Sequence, residues 1–102
     1  FHCAKEGKKL DLIESNCNVC LEADALEGYV DTGHSVTADY RSVIAFGRAE
    51  RVYGEELVHG LELLLKHCHV EGYSARDCAA TGITAVVKIT IDSITGKKRF
   101  NK

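Results

Sequence analysis

The sequence of 102 residues contains no proline, no methionine and no tryptophan. Glycine is therefore the strongest signal for breaks between its helices and strands. No apolar run approaches the roughly 18 residues of a membrane-spanning helix, and the N-terminal region does not resemble a secretory leader. The formal charge of −2 gives no overall positive field for binding nucleic acid. These absences favour a globular domain whose partners are small molecules or other proteins.

The number of cysteines is odd, which excludes complete disulfide pairing within one chain. The five are Cys3, Cys17, Cys20, Cys68 and Cys78. Reduced thiols in a cytoplasmic protein fit this number best. The Cys17-x-x-Cys20 spacing invites a zinc or redox interpretation, but a structural zinc site needs four ligands. The remaining candidates, residues 67–69, lie together at a predicted helix end, so we favour packed thiols and predict no metal site.

The first part of the chain alternates between regular patterns and a polar stretch. Apolar residues at near-helical spacing predict a helix over Lys5–Glu14, ended by Ser15-Asn16. Asn18–Ala23 alternates in polarity and is predicted to be a strand. Residues 24–39 are rich in acids and glycine, so we expect a loop with a short strand around Tyr29 and Val30.

The second part of the chain has stronger patterns. Tyr40–Tyr53 is predicted to be a central strand that bends at Gly47, and Glu55–Cys68 an amphipathic helix. Ser74–Ala80 could form a short helix opened by the Ser74 hydroxyl. Residues 83–92 alternate as a half-buried strand. One mainly β (α+β) domain over residues 1–102 follows, because the strands and helices show no regular βαβ period.

The opening stretch carries the most informative chemistry. It reads Phe1-His2-Cys3-Ala4-Lys5-Glu6-Gly7-Lys8-Lys9-Leu10 and passes from a predicted strand into a lysine-rich helix start. The first N–H groups of a helix lack intrahelical partners, and the helix dipole adds partial positive charge there. Such a turn can bind phosphate. The alternative is a solvated lysine face with no ligand.

Five ordered blocks together resemble a known family. They are F-H-x-A-x-x-G-x-K-L at the start, N-x-x-V-C, Y-x-S-V-x-x-F-G-x-A-E, a leucine-rich helix and a closing I-T-G-K-K. This order resembles the flavin-binding split-barrel proteins of the pyridoxamine 5'-phosphate oxidase-like class, and within it the nitroimidazole-resistance (Nim-like) branch. The resemblance covers nearly the whole chain. It implies a split β-barrel with flanking helices that binds FMN.

The resemblance also implies roles for particular residues. Those expected at the flavin are His2, Ala4, Lys5, Lys9, Tyr40, Arg41, Ser42 and Val43. His2 would be the catalytic proton donor or would orient the substrate, although it could also be a strand histidine with a satisfied hydrogen bond. Lys9 is the first choice for the phosphate cation, with Lys8 pointing outward. Arg41 suits a phosphate but could equally form a salt bridge at the rim.

The family resemblance leads to two functional hypotheses. The first is an FMN-dependent oxidoreductase that acts as a homodimer with flavin between subunits and reduces small nitroaromatic acceptors. The second is a non-catalytic module that stores or senses flavin or haem. Any chemistry must come from a bound cofactor, because no nucleophile–base pair is recognisable. Since Phe1 aligns with the middle of the family's barrel, we expect the family's N-terminal helix and first strands to be missing from this chain.

Overall fold

The computed structural model describes residues 1–100. Within this range the backbone forms four strands, two α-helices and one 3₁₀ helix. Its elements are β1 (His2–Ala4), α1 (Lys8–Ser15), β2 (Asn18–Asp31), β3 (Val36–Val52), α2 (Gly54–His67), the 3₁₀ helix (Ala79–Ile83) and β4 (Thr84–Arg99). The strands form one sheet in the order β1-β4-β3-β2, so the prediction that β3 is central is confirmed. Within residues 1–100, no helix is long and apolar enough to cross a membrane.

The chain divides into two compact units. Residues 1–17 and 49–90 form the first unit, and residues 18–48 with the chain from position 91 onward form the second. In the first unit, β1 pairs antiparallel with β4, so that His2 lies opposite Val86. In the second unit, β2 pairs antiparallel with β3. The first unit contains both α-helices and the strand that carries His2.

The core of the first unit is built from small side chains. Ala85, Val86 and Val87 of β4 are all at most 3% exposed, although consecutive strand residues point to opposite faces. The predicted half-buried alternation is therefore wrong for residues 85–87 of β4, which are buried on both faces. The reason is that α2 covers the Val86 face, since its Gly60 lies close to the Val86 side chain. Ile83, predicted to begin this strand, instead ends the 3₁₀ helix and is 72% exposed.

The second unit contains a long hairpin where the sequence predicted a loop over residues 24–39. β2 continues to Asp31, and a four-residue turn leads directly into β3. The turn is held by the Thr32 N–H, which donates to the Ser35 carbonyl at 2.9 Å, and by the Gly33 N–H, which donates to Asp31 Oδ1 at 2.7 Å. Gly33 has a φ of 92°, a conformation that glycine adopts readily. The acids misled the prediction because β2 is an edge strand, where charged side chains are common.

Two helix predictions need correction and one is confirmed. α1 begins at Lys8, three residues later than predicted, because residues 5–7 form a bend. Ser74 does not open a helix; its hydroxyl donates to Glu62 Oε1 at 3.2 Å, and the chain turns irregularly until the 3₁₀ helix. A contact with α2 thus replaces the predicted local cap. The predicted leucine-rich helix agrees with α2 to within one residue at each end.

Candidate functional site

The bend between β1 and α1 gives the predicted phosphate-binding turn its structural form. Gly7 precedes the first turn of α1, and its carbonyl accepts the first helical hydrogen bond from the Asp11 N–H at 3.2 Å. No side chain caps this helix start. The N–H groups of Lys8, Lys9 and Leu10 come before that first bond, where a helix has no intrahelical acceptors to offer. These donors carry partial positive charge and can bind an anion.

The lysines of this segment differ in their surroundings. All three are exposed. The Lys9 ammonium lies 5.1 Å from the centroid of the Phe1 ring, in cation–π geometry, which places it over the start of β1. Lys5 lines a cavity of about 620 Å³ between α1 and the end of β3, whereas Lys8 and Lys9 do not. Lys9, the first choice for the phosphate cation, thus lies near β1 and outside this cavity.

The 620 Å³ cavity is also lined by an arginine that no sequence motif indicated. Arg51 lies at the end of β3 and donates from Nη1 to the Lys5 carbonyl at 3.3 Å. Its guanidinium carbon lies 5.3 Å from the centroid of the Tyr53 ring. Its Nε is buried without a hydrogen-bond acceptor among residues 1–100. No local pattern indicates this role, because the contact joins residues 46 positions apart.

His2 lines a second cavity, of about 310 Å³, in the same unit. The wall is mainly apolar and comes from α2 and the segment that follows it, with Leu61, Leu64, Leu65, Val70 and Tyr73 among its residues. A site of this size and polarity accommodates a small uncharged molecule. The α2 leucines, which the sequence assigned only to an apolar helix face, therefore line a cavity beside the predicted catalytic histidine.

The two threonine hydroxyls in the His2 cavity are already engaged. The Thr81 hydroxyl donates to the Ala75 carbonyl at 2.6 Å, and the Thr84 hydroxyl donates to the Ala80 carbonyl at 2.8 Å. By contrast, the His2 imidazole has no hydrogen-bond partner within residues 1–100 and is exposed. The partly buried histidine with a satisfied hydrogen bond is therefore not what the structure shows. The free imidazole can bond a ligand or move a proton.

Ion pairs fix the start of α2, the helix that forms one wall of the His2 cavity. Arg76 forms a two-pronged pair with Glu55, with N–O distances of 2.9 and 2.6 Å. These hydrogen bonds, and the charge of Arg76, lower the pKa of Glu55 below its usual value. Lys88 of β4 donates to Glu56 Oε2 at 3.1 Å, which raises the pKa of Lys88. The helix is thereby tied both to the following segment and to the sheet.

The other predicted flavin contacts lie on β3 in the second compact unit. They are Tyr40, Arg41, Ser42 and Val43. Arg41 is 68% exposed along its side chain and lies 3.9 Å from Glu27 Oε1, which is the rim pair considered as its alternative. His2, Ala4, Lys5 and Lys9 belong to the first unit. The structure therefore groups the predicted site residues into two sets, one in each unit.

The cysteines and histidines do not assemble into a recognisable metal centre within residues 1–100. Cys17 and Cys20 are both exposed free thiols, so the expectation that these thiols pack is wrong. The residues after α2 instead close the helix with backbone bonds. The Cys68 N–H donates to the Leu64 carbonyl at 3.0 Å, and the His69 N–H donates to the Lys66 carbonyl at 3.1 Å. Residues 67–69 thus form a helix terminus, as the sequence predicted.

The fold and the motif order can be compared with known proteins. The family model described as pyridoxamine 5'-phosphate oxidase matches residues 1–98. The chain belongs to this family. A similar crystal structure, of a candidate 5-nitroimidazole antibiotic resistance protein from Bacteroides thetaiotaomicron, has a TM-score of 0.80 and 27% identity. The alignment covers 94% of this chain and 58% of that one. The predicted resemblance to the nitroimidazole-resistance branch is confirmed.

Two more distant structures share the fold. The flavocytochrome Anf3 from Azotobacter vinelandii has a TM-score of 0.67 and 21% identity, over 98% of this chain and 49% of that one. An FAD-binding protein from Mesorhizobium loti has a TM-score of 0.60 and 20% identity, over 93% of this chain and 63% of that one. No curated protein sequence matches the chain. The predicted split-barrel fold class is confirmed by these likenesses.

Proposed function

We propose that this family member is an FMN-dependent oxidoreductase that reduces small uncharged acceptors, nitroaromatic compounds among them. The observation that carries the proposal is that residues 2–10 contain both a histidine at a cavity and the start of a helix. The free imidazole of His2 faces an apolar cavity of about 310 Å³, and the uncapped start of α1 follows within the same short segment. A proton-active group and an anion-binding helix start therefore lie on adjoining elements, as a phosphate-bearing redox cofactor requires.

The residues present fit a flavin nucleotide. The phosphate would be held by the N–H groups of residues 8–10 and by the ammonium group of Lys9, which lies over the Phe1 ring. Tyr40, Arg41, Ser42 and Val43 are proposed as further contacts, through backbone groups as well as side chains. A flavocytochrome and an FAD-binding protein share the fold, which supports a flavin. We propose FMN because its single terminal phosphate suits a single helix start. We further propose a cytoplasmic homodimer with the flavin between its subunits.

The roles of the protein groups follow from their chemistry. FMN, when bound, supplies hydride and electron transfer, which no protein side chain can provide. The apolar wall of the His2 cavity excludes charged compounds, because burying an unpaired charge is costly. A ring nitrogen of His2 donates a proton to the bound acceptor or holds it by a hydrogen bond. The cavity's threonine hydroxyls are already bonded, so they do not compete with His2 for this interaction.

The test starts from the purified protein titrated with FMN. We expect the visible absorption of oxidised flavin to remain with the protein after gel filtration, at an elution volume that matches a dimer. NAD(P)H should bleach the bound flavin, and a nitroaromatic compound should restore the colour. His2→Asn should slow the second step while leaving flavin binding intact. His34→Asn, at the exposed hairpin turn, removes the same group type and should change neither step.

Several results would count against the proposal. Protein that stays colourless after incubation with FMN would contradict the FMN assignment. Bound flavin that NAD(P)H bleaches but no nitro compound reoxidises would support a different acceptor. Bound flavin that no electron donor reduces, or a haem absorption band in its place, would favour the storage or sensing module. An unchanged reoxidation rate in His2→Asn would remove His2 from the mechanism.

A further inference from the structure

Arg51 connects the end of β3 to the bend that precedes α1. Its Nη1 donates to the Lys5 carbonyl at 3.3 Å, across 46 positions of sequence. Its guanidinium also lies over the Tyr53 ring, with 5.3 Å between the guanidinium carbon and the ring centroid. The side chain is therefore fixed by a hydrogen bond on one side and by an aromatic face on the other. A planar guanidinium can satisfy both contacts at once, whereas a lysine ammonium cannot reproduce the stacking.

The Lys5 carbonyl lies in the bend that leads into α1, so its position affects the helix start. It lies two residues before Gly7, and the chain between them forms the bend that leads into α1. Neither a side-chain cap on α1 nor a hydrogen bond from a neighbouring side chain to Gly7 is found in the described chain. The contact from Arg51 is thus an anchor for a bend that α1 itself does not hold.

The charges around Arg51 argue against direct binding of phosphate in the 620 Å³ cavity. Three carboxylates, those of Glu6, Asp11 and Glu14, line this cavity together with the two cations Lys5 and Arg51. An added phosphate there would be repelled by the carboxylates. The Nε of Arg51 is also buried, so a ligand does not reach it. Arg51 therefore acts on the helix start through the backbone rather than as a ligand.

We propose that Arg51, oriented by Tyr53, is a positioning residue that holds the β1–α1 bend in the shape that binds the cofactor's phosphate. This inference rests on the proposed FMN function and deepens it. The orphaned Nε adds a physical reason for a dedicated role: a buried donor without an acceptor is unfavourable, so the side chain is not there for stability alone. The expected signature is a loss of affinity that depends on the phosphate group.

The experiment compares FMN with riboflavin, which has the same ring system but no phosphate. Dissociation constants are measured by quenching of flavin fluorescence for the wild type, Arg51→Ala, Arg51→Lys and Tyr53→Leu. We expect Arg51→Ala to weaken FMN binding by roughly tenfold and riboflavin binding by less than about twofold, on the scale of one or two lost hydrogen bonds. Arg51→Lys and Tyr53→Leu should show the same phosphate-selective loss, to a smaller extent.

The control is Arg76→Ala, which removes an equal charge from an exposed arginine outside the bend. It should leave the ratio of FMN to riboflavin affinity unchanged. Circular dichroism spectra and unfolding midpoints confirm that each variant is folded. If Arg51→Ala does not fold, Arg51→Lys and Tyr53→Leu replace it in the comparison. A general loss of packing would weaken both flavins equally, which would overturn the positioning role.

The outcomes separate the two proposals. If the wild type binds neither flavin, the FMN assignment and the role of Arg51 are both wrong. If the wild type binds FMN more tightly than riboflavin but the Arg51 and Tyr53 variants keep that preference, only the role of Arg51 is wrong. If the variants lose the preference while Arg76→Ala keeps it, the positioning role is supported.

Discussion

Gly60→Ala tests how closely α2 packs against β4 at the buried Val86. Within a helix, alanine is more favourable than glycine by about 0.5–1 kcal/mol. However, a Cβ atom at position 60 would lie 3.0 Å from Val86 Cγ1. Val86 is 3% exposed and lies between two other buried residues, so it has little room to move. Because overpacking costs about 1–3 kcal/mol, we expect a net destabilisation of about 1 kcal/mol.

The assay is urea denaturation of four proteins: the wild type, Gly60→Ala, Val86→Ala and the double variant. Val86→Ala removes the atom that the new methyl group would contact. In that background, Gly60→Ala should therefore stabilise the protein by about 0.5–1 kcal/mol, since only the helix propensity remains. The sign of the glycine substitution should reverse between the two backgrounds. An equal effect in both, or a stabilised Gly60→Ala single variant, would refute this account of the packing.

Three further substitutions probe other contacts. Arg76→Gln should destabilise the protein at neutral pH. The difference in stability from the wild type should vanish as the pH falls through the lowered pKa of Glu55, because protonated Glu55 no longer attracts Arg76. Urea titrations at several pH values measure this difference. Glu62→Ala should cost about 1.5–3 kcal/mol, because its carboxylate accepts hydrogen bonds from the Ser74 hydroxyl and the Ala75 N–H, whereas Glu62→Gln should cost less. Ala85→Leu should lower the unfolding midpoint by overpacking a fully buried position, at about 1–3 kcal/mol, and an unchanged midpoint would contradict that.

The predictable parts of the fold are those with a local cause. α2 was predicted almost to the residue because its leucines recur at helical spacing along one face. The predicted β2 ended at Ala23 because acids and glycines follow from Asp24 onward. In the structure Asp24 pairs with Ser42 of β3, and within residues 1–100 β2 has no neighbouring strand on its other side. An edge strand satisfies its hydrogen bonds without a continuous apolar pattern, so composition alone could not distinguish it from a loop.

The same division applies to the candidate site. His2, Gly7 and Lys9 lie within one short segment, so the order of residues alone indicated a histidine followed by an anion-binding helix start. Arg51 was not predicted, because its partner is the backbone carbonyl of Lys5, and a carbonyl leaves no trace in side-chain chemistry. The groups that would contact a cofactor are thus readable from a motif. The group that we propose holds them in position becomes visible only when the fold brings the end of β3 beside the start of α1.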